Sequence, residues 1–535
     1  MRLIENSSKE KLRGGFYTPV PIAQFILRWG INGTTDYDIL EPSCGDGVFL
    51  EQLINNQFSY KTVTAIELDE CEAEKAKKIN LHNSTIVITD FHIYCNYTTQ
   101  KFDLIIGNPP YIRYQFFDEG QQKEAEKVFV KAYLKYSKLT NAWVSFVVGS
   151  SLMLKEKGKI GFVLPAEILQ VSYAKQLREF LSRFYNKINI ISFKRLVFPD
   201  IQQEVVLLLC EKNSSGSHTI EHLELTDAES LREVDLYKLK RPAKNIDHRS
   251  NKWTFYFLEQ EEIDFLEEVS NNLSIPRLGN FADVEVGITT GANNYFSVSQ
   301  SIVDSFNLHK FAFPLVGRSV QVNSSIFTFE DWTDNKNSNV RSYLLIFPKM
   351  EVLKSYKGAI EYLKQGEELG INNGYKTGIR EEWQCIPSIW ISDCLFIRRN
   401  NLFPKLILNS AKAYTTDTMH RVKIKPNTDM NTFVASFYNS LSLAFGEISG
   451  RSYGGGVLEL MPSEVGKIVL PYNIKNHELL FEIDEMFRKT IEIREILAFT
   501  NNIILKDGFG FSSKDIALAD HIWQKLSQRR LNRSK

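Results

Sequence analysis

Between Tyr37 and Lys212, short apolar runs alternate with longer segments whose apolar residues recur every three or four positions. The runs "YDILEPS", "TVTAIEL", "STIVITD", "FDLIIG", "KIGFVLP", "INIISFKRLVF" and "EVVLLLC" are short, rich in branched and aromatic residues, and read as strands. Between them, "VFLEQLINNQ", "ECEAEKAKKINL" and "ILQVSYAKQLREFLSRF" read as helices. Ahead of the first strand, Pro19 opens a further helix, "PVPIAQFILRWG", with Ile22, Ile26 and Trp29 on one face. Such alternation builds a largely parallel sheet covered on both faces. Only "PDIQQ" separates the last two strands, which predicts a hairpin and hence an antiparallel element.

After the polar, turn-rich "EKNSSGSHT" the rhythm changes. From about Ile275 the strands are short and broken by Gly, Asn and Pro, as in "VEVGITTGANNYFSV". From about His477 the chain becomes a charged periodic helix, "ELLFEIDEMFRKTIEIREIL", and it finishes with basic "RRLNRSK". The expected division is a first domain over 1–245, a second over 246–475, and a helical segment over 476–535.

Composition agrees with folded domains: 535 residues at 43% hydrophobic content can bury several ordinary cores. Lys and Arg number 64 against 64 Asp and Glu, so the whole chain carries no basic signature of a nucleic-acid partner, although a local basic face is compatible with neutrality. The six cysteines are scattered, with no C-x-x-C pair, and suggest neither a zinc site nor a disulfide framework. The opening "MRLIENSSKEKLRGG" lacks the apolar core of a signal peptide, and no apolar run reaches membrane-spanning length; a cytoplasmic protein with reduced thiols is expected.

The candidate chemistry lies where strands end. "FDLIIGNPPY" stops a strand with Pro109 and Pro110, which fix their own backbone, lack N–H donors and push Asn108 to an extended conformation. An amide and the Tyr111 ring are thereby held beyond the C-terminal end of a strand, the edge where ligands bind in open α/β sheets. In "LEPSCGDGVFLEQL", Gly45 and Gly47 allow a tight turn and close approach of backbone to a ligand, and the helix that follows offers N–H donors to a carboxylate. Glu67, ending "AIELD", is placed to accept from ribose hydroxyls, and Asp90 and Phe91 in "ITDFH" to take an adenine amino group and stack on its ring. Each of these alone is as readily a turn, a helix cap or a core aromatic; the order of four such strand ends is what carries the reading.

That order, "GGFYTP", "EPSCGDGVF", "AIELD", "TDF", "GNPPY" and "VFPDIQQEVVLLL", strongly resembles the gamma-class DNA adenine-N6 methyltransferases of restriction-modification systems, over Gly14 to Glu211. "GITTGANNYF", "FPKLILN" and "TDTMHR" are similar, less diagnostically, to the target-recognition domains of the same enzymes. The resemblance implies an α/β fold of the class I S-adenosylmethionine-dependent methyltransferases, a Rossmann-like mixed seven-stranded sheet, followed by a mixed α+β DNA target-recognition domain. It implies Tyr17, Thr18 and Pro19 beside the methionine part of S-adenosylmethionine, and Glu41 and Gly45 beside its amino acid end with Ser43 and Cys44 in the same turn. Glu67 would take the ribose, Asp90 with Phe91 the adenine, and Asn108 would stand between cofactor and target. Asn108, Pro109, Pro110 and Tyr111 form the implied catalytic set, and Tyr111 and Phe198 the stacking surfaces for a flipped adenine. No metal is called for.

The implied activity is that of a site-specific, adenine-specific DNA methyltransferase acting on double-stranded DNA as a monomer. A cognate restriction endonuclease would be its functional partner without necessary contact. For sequence choice, Arg380, Arg421 and Arg451 sit in turn-rich stretches suited to phosphate contact or guanine readout, and each could equally be a solvated loop residue. Three alternatives stay open: methylation of a protein glutamine, methylation of cytosine N4, and a DNA-binding specificity protein without methyl transfer. The first is disfavoured by "GGFYTP" and the large C-terminal part.

Overall fold

The computed structural model describes residues 17–32, 36–112, 116–137, 140–198, 204–213, 217–239, 241–246, 248 and 252–532. The chain divides into two compact units, 1–263 and 264–534. The boundary therefore falls later than the composition change suggested.

The first unit is built on one sheet. Its strands are β1 (Asp38–Glu41), β2 (Thr62–Glu67), β3 (Ser84–Ile88), β4 (Phe102–Gly107), β5 (Leu154–Pro165), β6 (Lys187–Phe193), β7 (Val205–Glu211), β8 (Thr219–Leu225) and β9 (Lys244–Asn245), in the order β3-β2-β1-β4-β5-β7-β6-β8-β9. The first five are mutually parallel, and β7 runs antiparallel to both β5 and β6. All seven predicted strands are present, and the expected hairpin partners pair with Ile188 opposite Cys210. Their connection, the "PDIQQ" stretch, lies outside the described residues, as does "GGF" of "GGFYTP".

Nine strands rather than seven make this sheet, because β8 adds in parallel to β6 and carries β9. The polar residues that break up β8 as an apolar run have partners in the fold: Glu221 is ion-paired to Arg241 at 2.6 Å, and His222 is bonded to Ser192 at 2.8 Å.

Helix α1 (Val20–Gly30) starts after Pro19, whose φ of −58° suits a helix entry. Ile22, Ile26 and Trp29 are buried as the periodicity predicts. α1 packs on α2 (Val48–Asn55), and both join a core with Leu104, Ile106 and Val163 from the sheet. α3 (Glu70–Lys78) follows β2, while α4 (Phe91–Tyr97), α5 (Glu119–Lys131) and α6 (Ala142–Leu152) pack on one another. Among the described residues no helix is long and apolar enough to cross a membrane.

The second unit contains a five-stranded sheet, in which Ala282–Val286 and Cys394–Ile397 flank Met419–Ile424, together with a four-stranded and a three-stranded sheet. The last helices are not a separate segment. Arg530, on the helix Ser513–Asn532, reaches Glu447 with both side chains at most 3% exposed, and it donates to the carbonyls of Asn401 and Gly456. Asp484 accepts from the backbone of Ser325 and Ile326. Charged periodic sequence here marks helices that close the unit's own core by ion pairing.

Candidate active site

β1 delivers Glu41 to the sheet's C-terminal edge, and the chain then turns through Pro42–Gly47 into α2. Two positions in this turn need glycine. Gly45 and Gly47 have φ of +54° and +97°, and a Cβ on Gly47 would stand 2.3 Å from Ile79 Cδ1, against the end of α3. Glu67, from the end of β2, holds the turn from the side: one carboxylate oxygen accepts from the Gly45 N–H and the other from Asp69 N–H, each at 2.9 Å. Cys44 is buried beside it, and burial pushes its thiol far up, which makes it inert as a nucleophile at neutral pH.

Asp90 caps α4. Its Oδ1 accepts from the N–H groups of His92 and Ile93 at 2.7 and 3.3 Å and meets His92 Nδ1 at 3.1 Å. Burial raises the Asp90 carboxyl, but His92 and these N–H groups outweigh it and hold the group below the usual carboxylate range. Its Oδ2 lies 3.4 Å from Gln121 Nε2. Phe91 is stacked on Phe146 of α6, centroids 4.4 Å apart.

At the end of β4, the Asn108 backbone carbonyl accepts from Ser43 Oγ at 3.3 Å, so the turn after β4 is tied to the turn after β1. The Tyr111 hydroxyl lies 2.8 Å from Asn108 Oδ1 and 3.1 Å from the Val163 carbonyl.

These strand ends enclose a cavity of about 410 Å³, within the roughly 300–1,000 Å³ of small-molecule sites. Every cofactor candidate named from the sequence lines it except Pro19, which instead starts α1. Asn108 and Pro110 are on its wall; Pro109 and Tyr111 are not. The Tyr111 ring is half-buried against the core of the first unit, its phenol pushed up by burial. His92, Phe116, Gln121 and Phe146 also line the cavity and were not singled out. His92 was within reach, since it ends the quoted "ITDFH"; Phe146 sits on a helix apolar all round and gave no signal.

Glu41 tests the fit of a cofactor most directly. It is 2% exposed, its Oε2 has no hydrogen-bond partner, and burial, with Glu67 and Asp46 nearby, pushes its carboxyl well up. An isolated carboxylate in such a place is costly, and an ammonium group is the complement it lacks. A raised folded-state value means that Glu41 costs the free protein stability once pH rises above the ordinary carboxylate range. Glu41→Gln should therefore raise the unfolding temperature of the free protein at pH 8 by a few degrees while weakening its cofactor binding; a lower unfolding temperature together with undiminished affinity would refute this.

Phe198 is 7% exposed and joins the core of the first unit. Arg421 is 5% exposed, lies over the Trp390 ring at 4.3 Å, and donates to the carbonyls of Ser388 and Val286. These contacts hold it against its own domain. Arg380 is half-buried and donates to the Thr290 and Trp383 carbonyls, and Arg451 pairs with Glu464 at 3.2 Å. Among the described residues no group of three or more His, Cys, Asp or Glu is arranged to hold a metal ion.

A glycine turn braced by an acid from the second strand, a capping acid after the third and Asn108 at the stop after the fourth, all on one cavity, define a class I S-adenosylmethionine-dependent methyltransferase. Two family models match the chain: Eco57I restriction-modification methylase over residues 45–198, and the C-terminal domain of type II methyltransferase M.Eco57I over 250–505. The chain belongs to this family of restriction-modification methyltransferases. Type II methyltransferase M.AccI of Acinetobacter calcoaceticus is 25% identical over 498 residues, covering 89% of this chain and 88% of that protein. A tRNA1(Val) (adenine(37)-N6)-methyltransferase of Haemophilus influenzae is 32% identical over 136 residues, 24% of this chain and 54% of that one. The nuclease-deleted type ISP restriction-modification enzyme LlaGI, solved with a DNA substrate mimic, superimposes with a TM-score of 0.52 at 13% identity, covering 88% of this chain and 54% of that one. At that identity the likeness is one of fold.

Proposed function

We propose that this enzyme transfers the methyl group of S-adenosylmethionine to N6 of an adenine flipped out of duplex DNA at a specific sequence, protecting that sequence from a cognate endonuclease. The observation that carries the reading is the stop after β4: Asn108 stands on the wall of the cofactor cavity, and its backbone carbonyl is tied by Ser43 to the cofactor turn. The bound cofactor supplies an activated methyl on a sulfonium, so the protein's task is to present a nucleophile to it.

The N6 lone pair is delocalised into the purine and is a weak nucleophile. Asn108 Oδ1 and the Pro109 carbonyl are two acceptors for its two protons; accepting both draws the nitrogen toward tetrahedral geometry and strengthens as it becomes cationic. Extrusion costs a few kcal/mol. Stacking on an aromatic ring is worth about 1–3 kcal/mol. Of the two aromatic candidates, Tyr111 is bonded to Asn108 whereas Phe198 is in the core, and the reading keeps Tyr111 alone. Adenine is favoured over cytosine by the motifs and by the adenine-N6 enzyme among the relatives.

Single-molecule sequencing of DNA from cells expressing the protein should report N6-methyladenine at one recurring sequence; N4-methylcytosine, or no modified base, would overturn the proposal. Within the site, Glu67→Ala removes two charge-assisted acceptors from the turn and should weaken cofactor binding by roughly 1.5–3 kcal/mol. Calorimetric titration showing unchanged affinity would release Glu67 from that role.

A further inference from the structure

The phenol of Tyr111 has one proton, and the acceptors it reaches include Asn108 Oδ1 at 2.8 Å and the Val163 carbonyl at 3.1 Å. The second contact follows from the two prolines. The β4–β5 ladder ends at Gly107 opposite Phe162, and neither Pro109 nor Pro110 has an N–H with which to extend it; Tyr111 brings a donor to the carbonyl one residue farther along β5. The first contact falls on the oxygen that the target amine needs. An amide oxygen has two lone pairs, and a hydroxyl already on it takes one direction of approach and draws off electron density that an incoming N–H would use.

We propose that the Tyr111 hydroxyl is an acceptor cap: it satisfies Asn108 Oδ1 while the target site is empty, and turns to the Val163 carbonyl when an exocyclic amine takes its place. The proposal rests on the reading of Asn108 as the acceptor for the target amine. It gives the tyrosine a role in its hydroxyl, separate from any stacking by its ring. No covalent bond changes; one hydrogen bond to Asn108 is exchanged for another, and the phenol keeps its proton, as burial favours. The cost of entry is the loss of the Tyr111–Asn108 bond, so removing the hydroxyl while keeping the ring makes the target easier to bind.

The test uses the full chain with S-adenosylhomocysteine bound and a duplex carrying the sequence it methylates, with the target adenine in place and a fluorophore at one end. Tyr111→Phe should bind this duplex tighter, roughly two- to tenfold by fluorescence titration, and its KM for unmodified duplex should fall in step. Tyr111→Leu, which loses the ring as well, should bind more weakly than wild type, and cofactor titration of both variants shows that the fold is kept. Equal or weaker binding by Tyr111→Phe, or a drop in kcat of tenfold or more at unchanged KM, overturns the cap, the latter by making the hydroxyl a positioning group for Asn108. Product analysis of the wild type separates the two levels. If it finds N4-methylcytosine, the adenine reading fails and the cap is tested in the same way on an end-labelled duplex with cytosine at the target; if no amine is methylated, both fail.

Discussion

Asn108→Ala should cut turnover by about 10²–10³-fold, the order expected for removing one preorganised polar partner of a transition state. The substitution leaves in place the Asn108 carbonyl that Ser43 holds, so the turn after β4 and the cofactor cavity should survive. Single-turnover methylation with saturating cofactor isolates the chemical step, and cofactor affinity measured on the same variant should stay near that of wild type. Turnover within a few-fold of wild type would make the two prolines merely a stiff end to a strand.

The largest expected effect on stability lies at the other end of the chain. Arg530→Ala strands the buried Glu447 carboxylate and the carbonyls of Asn401 and Gly456, and should destabilise the second unit by roughly 3–5 kcal/mol. Denaturant unfolding followed by a probe within that unit checks it. Replacing both partners by apolar residues, Arg530→Met with Glu447→Leu, should recover much of the loss, because no charge is then left buried alone. An Arg530→Ala protein as stable as wild type would return the last helix to the status of an appendage.

The first unit was legible because most of its strands are buried on both faces and so read as plain apolar runs, the first four followed by polar groups. β8 escaped because Glu221 and His222, each paired to a neighbour, interrupt the apolar run of Ile220, Leu223 and Leu225. What sequence pattern does not encode is which long side chain turns inward. Arg421 sits in the same kind of turn-rich stretch as a solvated arginine, yet Trp390 and two carbonyls hold it inside. Phe198 followed the same course, since a phenylalanine beside a site and one in a core look alike along a chain. In the C-terminal helices charge does not mark a solvent face, since Asp484 and Arg530 have buried partners.

The Ser43 hydroxyl on the Asn108 carbonyl joins two turns that would bind different molecules. On the proposed reading a single peptide unit would be shared between two ligands, and their affinities would be linked. Whatever factor the cofactor contributes to the grip on the target, the target must return to the cofactor, because the two orders of addition close the same thermodynamic cycle. An apparent order of binding in steady-state kinetics would then measure relative rates of arrival and departure, and the coupling itself would be read from either ligand's dissociation constant with and without the other. Ser43→Ala should bring those two constants closer together.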